Sequence, residues 1–375
     1  MSKVREDRPG LRERWTGWRN AVLADPRFQR WAARFPLTRP IARRNARALF
    51  DMVAGFTYSQ TLFACLQLGL LDLLAEGALS TEQIAAAVHL PQGGADRLLR
   101  AAASLGLVES VGSGRWVLGS GGAALRGNRG IAEMVGHHSA LYADLADPVA
   151  LLRRGGGGGD LSRFWRYAES AGTGTGDEVG GYSKLMTASQ PLIADQLIDA
   201  YPFARHRRVL DIGGGEGAFV AALAARVPKL DLGLFDLPAV GERARVRLDR
   251  VAPGTCCTIL GGDFLTDPLP MGWDLITLVR VLHDHDDGPA MALLRRIHAA
   301  LPEGGRLLIA EPMAATRGAE PMGDGYFGLY LLAMGSGRPR SAAEIRGMLN
   351  AAGFASSRLL RTAMPLTLQA ISAKR

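Results

Sequence analysis

The sequence predicts an α/β protein in which a doubly wound, mostly parallel sheet is preceded by a smaller, mainly helical unit of the winged-helix type. Three observations carry that prediction. From Val209 onward, short apolar runs alternate with helical segments, the order expected when helices cross over between parallel strands. The first of these runs, VLDIGGGEGAFV at 209–220, joins a strand to a helix through a glycine turn, a construction that lets the backbone come close to a ligand. Upstream, residues 48–118 are helical in periodicity and end in ESVGSGRWVL, which reads as a hairpin turning at Gly112 to Gly114.

Taken in order, the elements begin with a basic arm over residues 1–47. The 375 residues carry a formal charge of +8, while the first fifty hold thirteen Lys and Arg against four Asp and Glu. The basicity therefore belongs to one segment. Within it Trp15, Trp18 and Val22, and then Phe28, Trp31 and Phe35, fall at helical spacing with arginines between them. Two readings stand: a peripheral contact with an anionic membrane surface, or a solvated helix pair whose aromatics pack on the body of the protein or on a partner subunit. Apolar content of 47% and charged content of 21% suit a globular chain with room for two domains. Cys65, Cys256 and Cys257 are too few for a disulfide framework or a zinc site. With alternating charges at 3–8 and no long uncharged apolar run, the expectation is a cytoplasmic protein without a membrane span.

Residues 48–128 make the winged-helix unit, in which Ser80 and Gln83 have capping-box spacing. Such a unit invites a DNA-binding reading. The would-be recognition helix, Ala95 to Leu105, offers only Arg97 and Arg100, whereas phosphate neutralisation needs several cations on one face. No nucleic-acid partner is expected, and the apolar helices are better suited to pairing two subunits. Residues 129–200 link this unit to the sheet. There GGGGG at 155–159 and GTGTG at 172–176 read as flexible connections around the short helix FWRYAES, followed by helical YSKLMTASQPLIADQLIDAY.

Residues 201–375 carry the sheet, with strands expected at Val209–Ile212, Leu232–Phe235, Thr258–Gly261, Leu275–Val279 and Leu307–Ala310. RLLRTAMPLTLQAISAKR adds two more, turning at Met364 and Pro365, so seven strands end in an antiparallel hairpin. Ligands of such sheets lie at the C-terminal strand ends, which gives weight to Asp211, Gly213, Gly215 and Gly217, then Asp236 and Leu237, then Asp263 and Phe264, then Arg280, His283 and His285. Asp236 is placed to accept from two ribose hydroxyls, Asp263 from an adenine amino group, and Phe264 to cover the ring. The glycine turn alone fits two cofactors. Gly213, Gly215 and Ala218 satisfy the dinucleotide pattern G-x-G-x-x-G/A, while Asp211, Gly213, Gly215 and Gly217 satisfy D-x-G-x-G-x-G, which resembles the first motif of S-adenosylmethionine (SAM) methyltransferases. A carboxylate at the strand end repels a pyrophosphate and attracts the ammonium and sulfonium groups of SAM. His283 and His285 sit where a general base meets a substrate, and nothing has metal-ligand spacing.

The succession of D-x-G-x-G-x-G, FDLP, GDF, DLITLVRVLHDHDD and ALPEGGRLLIAEPM resembles the SAM-dependent O-methyltransferases that act on small secondary metabolites as dimers. The resemblance covers nearly the whole chain. More narrowly, the stretch from Trp15 to Gln60 resembles the N-terminal region of the hydroxyneurosporene (demethylspheroidene) O-methyltransferases of carotenoid synthesis. The resemblance implies a Rossmann-like methyltransferase sheet, a winged-helix domain that serves homodimerisation, and an apolar small-molecule acceptor. It makes His283 the base and gives Glu311 the role of orienting it. Tyr182, Met186 and Ser189 then approach the methionine half of SAM. Two departures stand out: Pro339, in GRPRS, replaces a second glutamate of many relatives, leaving the base one carboxylate helper at most, and His285 replaces a tryptophan. Candidate acceptor walls are His137, His138, Leu141, Phe164, Trp165 and the stretch Tyr326 to Met334. The expected reaction is methylation of the hydroxyl of an acyclic hydroxycarotenoid, with a phenolic or polyketide hydroxyl as the alternative.

Overall fold

A computed structural model of the protein describes residues 10–170, 190, 193–252 and 257–375. The chain divides into two compact units, one ending at Ala123 and the other running from Ala124 to Arg375. Among the described residues, no helix is long and apolar enough to cross a membrane.

The first unit opens with helices Leu11–Ala24 and Pro26–Arg34. Asp25 separates them by accepting a hydrogen bond from the Arg27 N–H at 2.7 Å, and Pro26 starts the second helix where its missing N–H costs nothing. The aromatic spacing closes as the periodicity requires: the Trp15 and Trp18 rings lie 4.9 Å apart and those of Trp31 and Phe35 stack at 5.1 Å. A single 29-residue helix, Arg39–Gln67, follows and leaves Leu49, Phe50, Met52, Val53 and Phe56 exposed on this chain. The Ser80–Gln83 capping box is present at the start of helix Thr81–Ala87. The wing consists of β1 (Leu79–Ser80), β2 (Val108–Ser110) and β3 (Arg115–Leu118), in the order β1-β3-β2. Trp116 pins it to the helix through Nε1, which donates to the Thr81 hydroxyl at 3.0 Å.

The second unit holds β4 (Arg208–Ile212), β5 (Asp231–Asp236), β6 (Cys257–Gly261), β7 (Leu275–Val279), β8 (Arg306–Glu311), β9 (Ser356–Leu360) and β10 (Gln369–Lys374). Each of the first five lies within one residue of its expected span. The order is β6-β5-β4-β7-β8-β10-β9, and β10 runs antiparallel to both neighbours. The closing hairpin is therefore present, with its last strand inserted between β8 and β9. Alternation along each strand feeds two apolar layers. Leu210 and Ile212 join Ile276, Leu278 and Leu294 on one face, while Val209 joins Phe219, Leu223 and Leu275 on the other.

The glycine run at 155–159 is not a flexible connection. Gly155, Gly156, Gly157 and Gly158 hold φ values of +78, +100, +63 and +74°, a left-handed path that glycine follows without steric cost. The Gly157 N–H donates to the Leu332 carbonyl at 2.9 Å, and a Cβ on Gly156 would lie 2.4 Å from that same oxygen. The run is thus packed against helix Gly328–Met334. Asp144 follows it by accepting the Asp160 and Leu161 N–H groups at 2.8 and 3.0 Å, which starts helix Asp160–Ser170. The GTGTG stretch at 172–176, Tyr182, Met186 and Ser189 lie outside the described residues, as does Cys256.

Candidate active site

The end of β4 and the turn after it build the first part of the site. Gly213, Gly215 and Gly217 have φ values of +68, +57 and +76°, so each takes a conformation that a side chain would strain. A Cβ on Gly213 would come 2.8 Å from Val281, while above Gly215 nothing lies within 4 Å. Asp236, at the end of β5, accepts the Gly215 N–H through Oδ2 and the Leu237 N–H through Oδ1, both at 2.8 Å. Its carboxylate therefore ties the first turn to the second strand end. Burial pushes the Asp236 carboxyl up, against the pull of those two N–H groups.

Asp211 is buried beneath the same turn. Its Oδ1 accepts the Thr277 hydroxyl at 2.6 Å, and its Oδ2 has no partner. Burial pushes its carboxyl up to about 7, with the Thr277 bond opposing and the Asp236 charge assisting. A buried carboxyl with a vacant oxygen favours a cation over the turn and disfavours a pyrophosphate. The ends of the next strands close in on the same place. Phe264 and His285 meet edge to face, 5.4 Å between centroids, and Phe264 lies 3.5 Å from the Cβ position of Gly213. Asp263 fixes that loop by accepting the Leu265 N–H at 2.8 Å.

After β7 the backbone turns sharply at Arg280, a non-glycine residue at φ +59°, whose N–H is held by the Ala310 carbonyl at 2.8 Å. His283 follows on a single helical turn, Leu282–Asp284, and only 3% of it is exposed. Its Nε2 lies 3.2 Å from Asp284 Oδ1, and its backbone N–H donates to Glu311 Oε2 at 3.1 Å. Nδ1 has no partner. Burial works against the charged imidazole, but the Asp284 and Glu311 carboxylates outweigh it and raise the pKa of His283. Two carboxylates thus act on this histidine, where the sequence comparison at Pro339 allowed one. Glu311 holds the backbone, and it is Asp284 that holds the ring. Asp284 was visible only as one of several acidic residues in HDHDD, a run whose spacing does not say which carboxylate turns inward.

Beside His283 a cluster of rings gathers, in which Phe327, Tyr326 and Tyr330 all meet one another. Phe327 lies 5.9 Å from the His283 ring and 5.1 Å from Tyr326. Tyr326 Oη is 2.8 Å from His138 Nε2, and Trp165 Nε1 donates to Tyr330 Oη at 3.1 Å. His137 faces Phe164 at 4.3 Å. Burial pushes His137 down to about 4, with the neighbouring His138 assisting, and pushes the Tyr326 and Tyr330 phenols up. These polar tips stay uncharged near neutrality, so the wall is apolar in effect. Tyr326 and Phe327 sit on a π-helical turn, Pro321–Phe327, that runs into helix Gly328–Met334. Such wide turns swing side chains out of regular helical register.

A glycine turn with open space above it, a buried carboxyl beside it, ring surfaces at the next strand ends and a buried histidine beside an apolar wall fit a SAM-dependent methyl-transferring enzyme. Comparison with known proteins gives its kind. Residues 142–355 match the O-methyltransferase domain and residues 50–120 the O-methyltransferase dimerisation domain. The chain is 43% identical over 350 residues to demethylspheroidene O-methyltransferase of Cereibacter sphaeroides, spanning 93% of this chain and 92% of that one. It is 42% identical to the protein of the same name from Rhodobacter capsulatus, over 91% of this chain and 85% of that one. Human N-acetylserotonin methyltransferase, solved in complex with SAM, superposes with a TM-score of 0.71 at 25% identity, covering 88% of this chain and 98% of that one. The chain belongs to the O-methyltransferase family and is a SAM-dependent O-methyltransferase.

Proposed function

We propose that the enzyme methylates the hydroxyl of an acyclic hydroxycarotenoid of the demethylspheroidene type. The observation that carries this reading is the aromatic surface beside His283, where Phe327, Tyr326 and Tyr330 cluster and Trp165 and His137 join them, an apolar wall suited to a polyene. The identity to the two demethylspheroidene O-methyltransferases supports the same acceptor.

In this reading Gly213, Gly215 and Gly217 cradle SAM, Asp236 and Leu237 receive its ribose, and Phe264, Asp263 and His285 flank its adenine. Tyr182 and Met186 are assigned to its methionine half, and Arg280 to the same pocket. Bound SAM supplies a methyl group made electrophilic by the sulfonium. With Nε2–H donating to Asp284, the lone pair of neutral His283 lies on Nδ1, the tautomer assigned from the hydrogen-bond geometry. His283 Nδ1 would take the proton of the acceptor hydroxyl as its oxygen receives the methyl group that SAM would supply, S-adenosylhomocysteine being the leaving group. Asp284 and Glu311 then stabilise the imidazolium. A tertiary alcohol gives up its proton only as the methyl arrives, so alignment in a dry site supplies much of the acceleration.

The acceptor test uses labelled SAM with a hydroxylated acyclic carotenoid in detergent micelles, beside a panel of phenols. Transfer to the carotenoid supports the proposal, and transfer to phenols alone overturns it. The reading extends to a homodimer formed through residues 50–120, which would cover Phe50, Met52, Val53 and Phe56. It also places this cytoplasmic enzyme at a membrane surface through its arm, because a polyene resides in lipid. There Trp15, Trp18 and Trp31 are 60, 58 and 51% exposed among arginines. Vesicles of phosphatidylglycerol should co-sediment the full chain and not a chain lacking residues 1–45; equal binding of both removes the membrane contact.

A further inference from the structure

We infer that the segment from Ser336 to Arg340, and Arg340 above all, is a strap that positions the catalytic base. Arg340 is fully buried, at 0% exposure, a rare state for a guanidinium unless its donors are engaged. Each arm of its fork is committed to the turn that carries His283. Nη1 donates to the Leu282 carbonyl at 2.9 Å, Nη2 to the His285 carbonyl at 2.7 Å, and Nε to Asp287 Oδ1 at 2.9 Å. The two carbonyls bracket His283, so one rigid plane fixes the backbone on both sides of the base. Arg340 thus acts on His283 as a positioning residue, through the backbone on either side of it, while its charge also favours the Glu311 carboxylate.

The rest of the strap grips the same turn. Ser336 Oγ donates to the Asp284 carbonyl at 3.0 Å, and the Gly337 N–H donates to Asp286 Oδ1 at 3.0 Å. Gly337, at φ +78°, lies so close that a Cβ would stand 2.1 Å from the His283 carbonyl. Arg338 reaches Asp287 from outside, at 3.1 Å. At its far end the Arg340 carbonyl accepts the Ala314 N–H at 3.0 Å, just beyond the strand that ends in Glu311. At its near end the strap leaves Gly335, the cap of helix Gly328–Met334. The strap therefore joins the helix lining the acceptor wall to the turn bearing the base. It also accounts for Pro339: with the ring held by Asp284, the segment here serves through Arg340 and its backbone.

This inference rests on His283 being the base, and the test separates the two. Arg340→Lys keeps the charge but loses the planar fork. At saturating substrates its kcat should fall roughly 100-fold, as expected for a base displaced by about an ångström, while acceptor KM holds. The acid limb of its kcat–pH profile should move to lower pH, because the Asp284 contact that raises the pKa of His283 loosens with the turn. Ser336→Ala, which removes one bond to the Asp284 carbonyl, should shift the limb in the same direction by less and serves where Arg340→Lys does not fold. Thermal melts give the folded fraction for each variant. A wild-type kcat and pH limb in the folded variants, or a loss of kcat matched by the loss of folded protein with no shift of the limb, overturns the strap. Turnover retained by His283→Ala overturns the base assignment instead.

Discussion

At the proposed cofactor end, Gly213, Gly215 and Gly217 share one turn, and the Asp236 carboxylate ties that turn to the end of β5 through the Gly215 and Leu237 N–H groups. At the acceptor end, His138, Trp165, His283, Tyr326 and Tyr330 come from segments far apart and meet through ring edges and side-chain hydrogen bonds. The first construction is fixed by backbone geometry, which few substitutions can imitate. The second is fixed by packing, in which one ring can be exchanged for another of similar size. Such a division would let one half hold a cofactor through backbone geometry while the other is adapted to different acceptors by packing.

The comparison breaks most visibly at His283. His283→Ala should lower kcat by roughly 10³-fold while calorimetric SAM affinity stays that of the parent; turnover near the parent rate would place the base elsewhere. Asp236→Ala should act on the other half, weakening SAM binding by roughly 10- to 100-fold, since a charged acceptor and the tie to Gly215 are lost together. Normal affinity in that variant would take the ribose from Asp236. The smallest effect is a pH dependence. The free-enzyme Asp211 carboxyl lies at about 7, and a bound cation lowers it, so SAM affinity should be constant well above that value and weaken as pH falls through it. Asp211→Asn should flatten the dependence, and a pH-independent affinity in the parent would show that Asp211 does not sense the cofactor.

Much of this architecture was legible because it depends on local rules. Strand and helix alternation, the Ser80–Gln83 cap, the closing hairpin and the residues at the strand ends each follow from periodicity, turn chemistry or the position of ligands on parallel sheets. GGGGG at 155–159 misled for a physical reason: glycine-rich composition signals flexibility only where nothing packs on it, and here Leu332 and Asp144 lie too close for any side chain. The division of labour between Asp284 and Glu311 was equally hidden. Both are single carboxylates near a histidine in sequence or in resemblance, and only the turn at Arg280 decides which faces the ring and which takes the backbone N–H.

By itself the sequence determined the sheet and the glycine turn after its first strand, because strand periodicity and turn chemistry act over a few residues of chain. Tertiary structure alone decided how His283 is held. Its ring partner, its free Nδ1, the grip of Arg340 on the Leu282 and His285 carbonyls and the rings clustered from Phe327 to His137 all join residues brought together by packing or by side-chain direction, which no local spacing encodes.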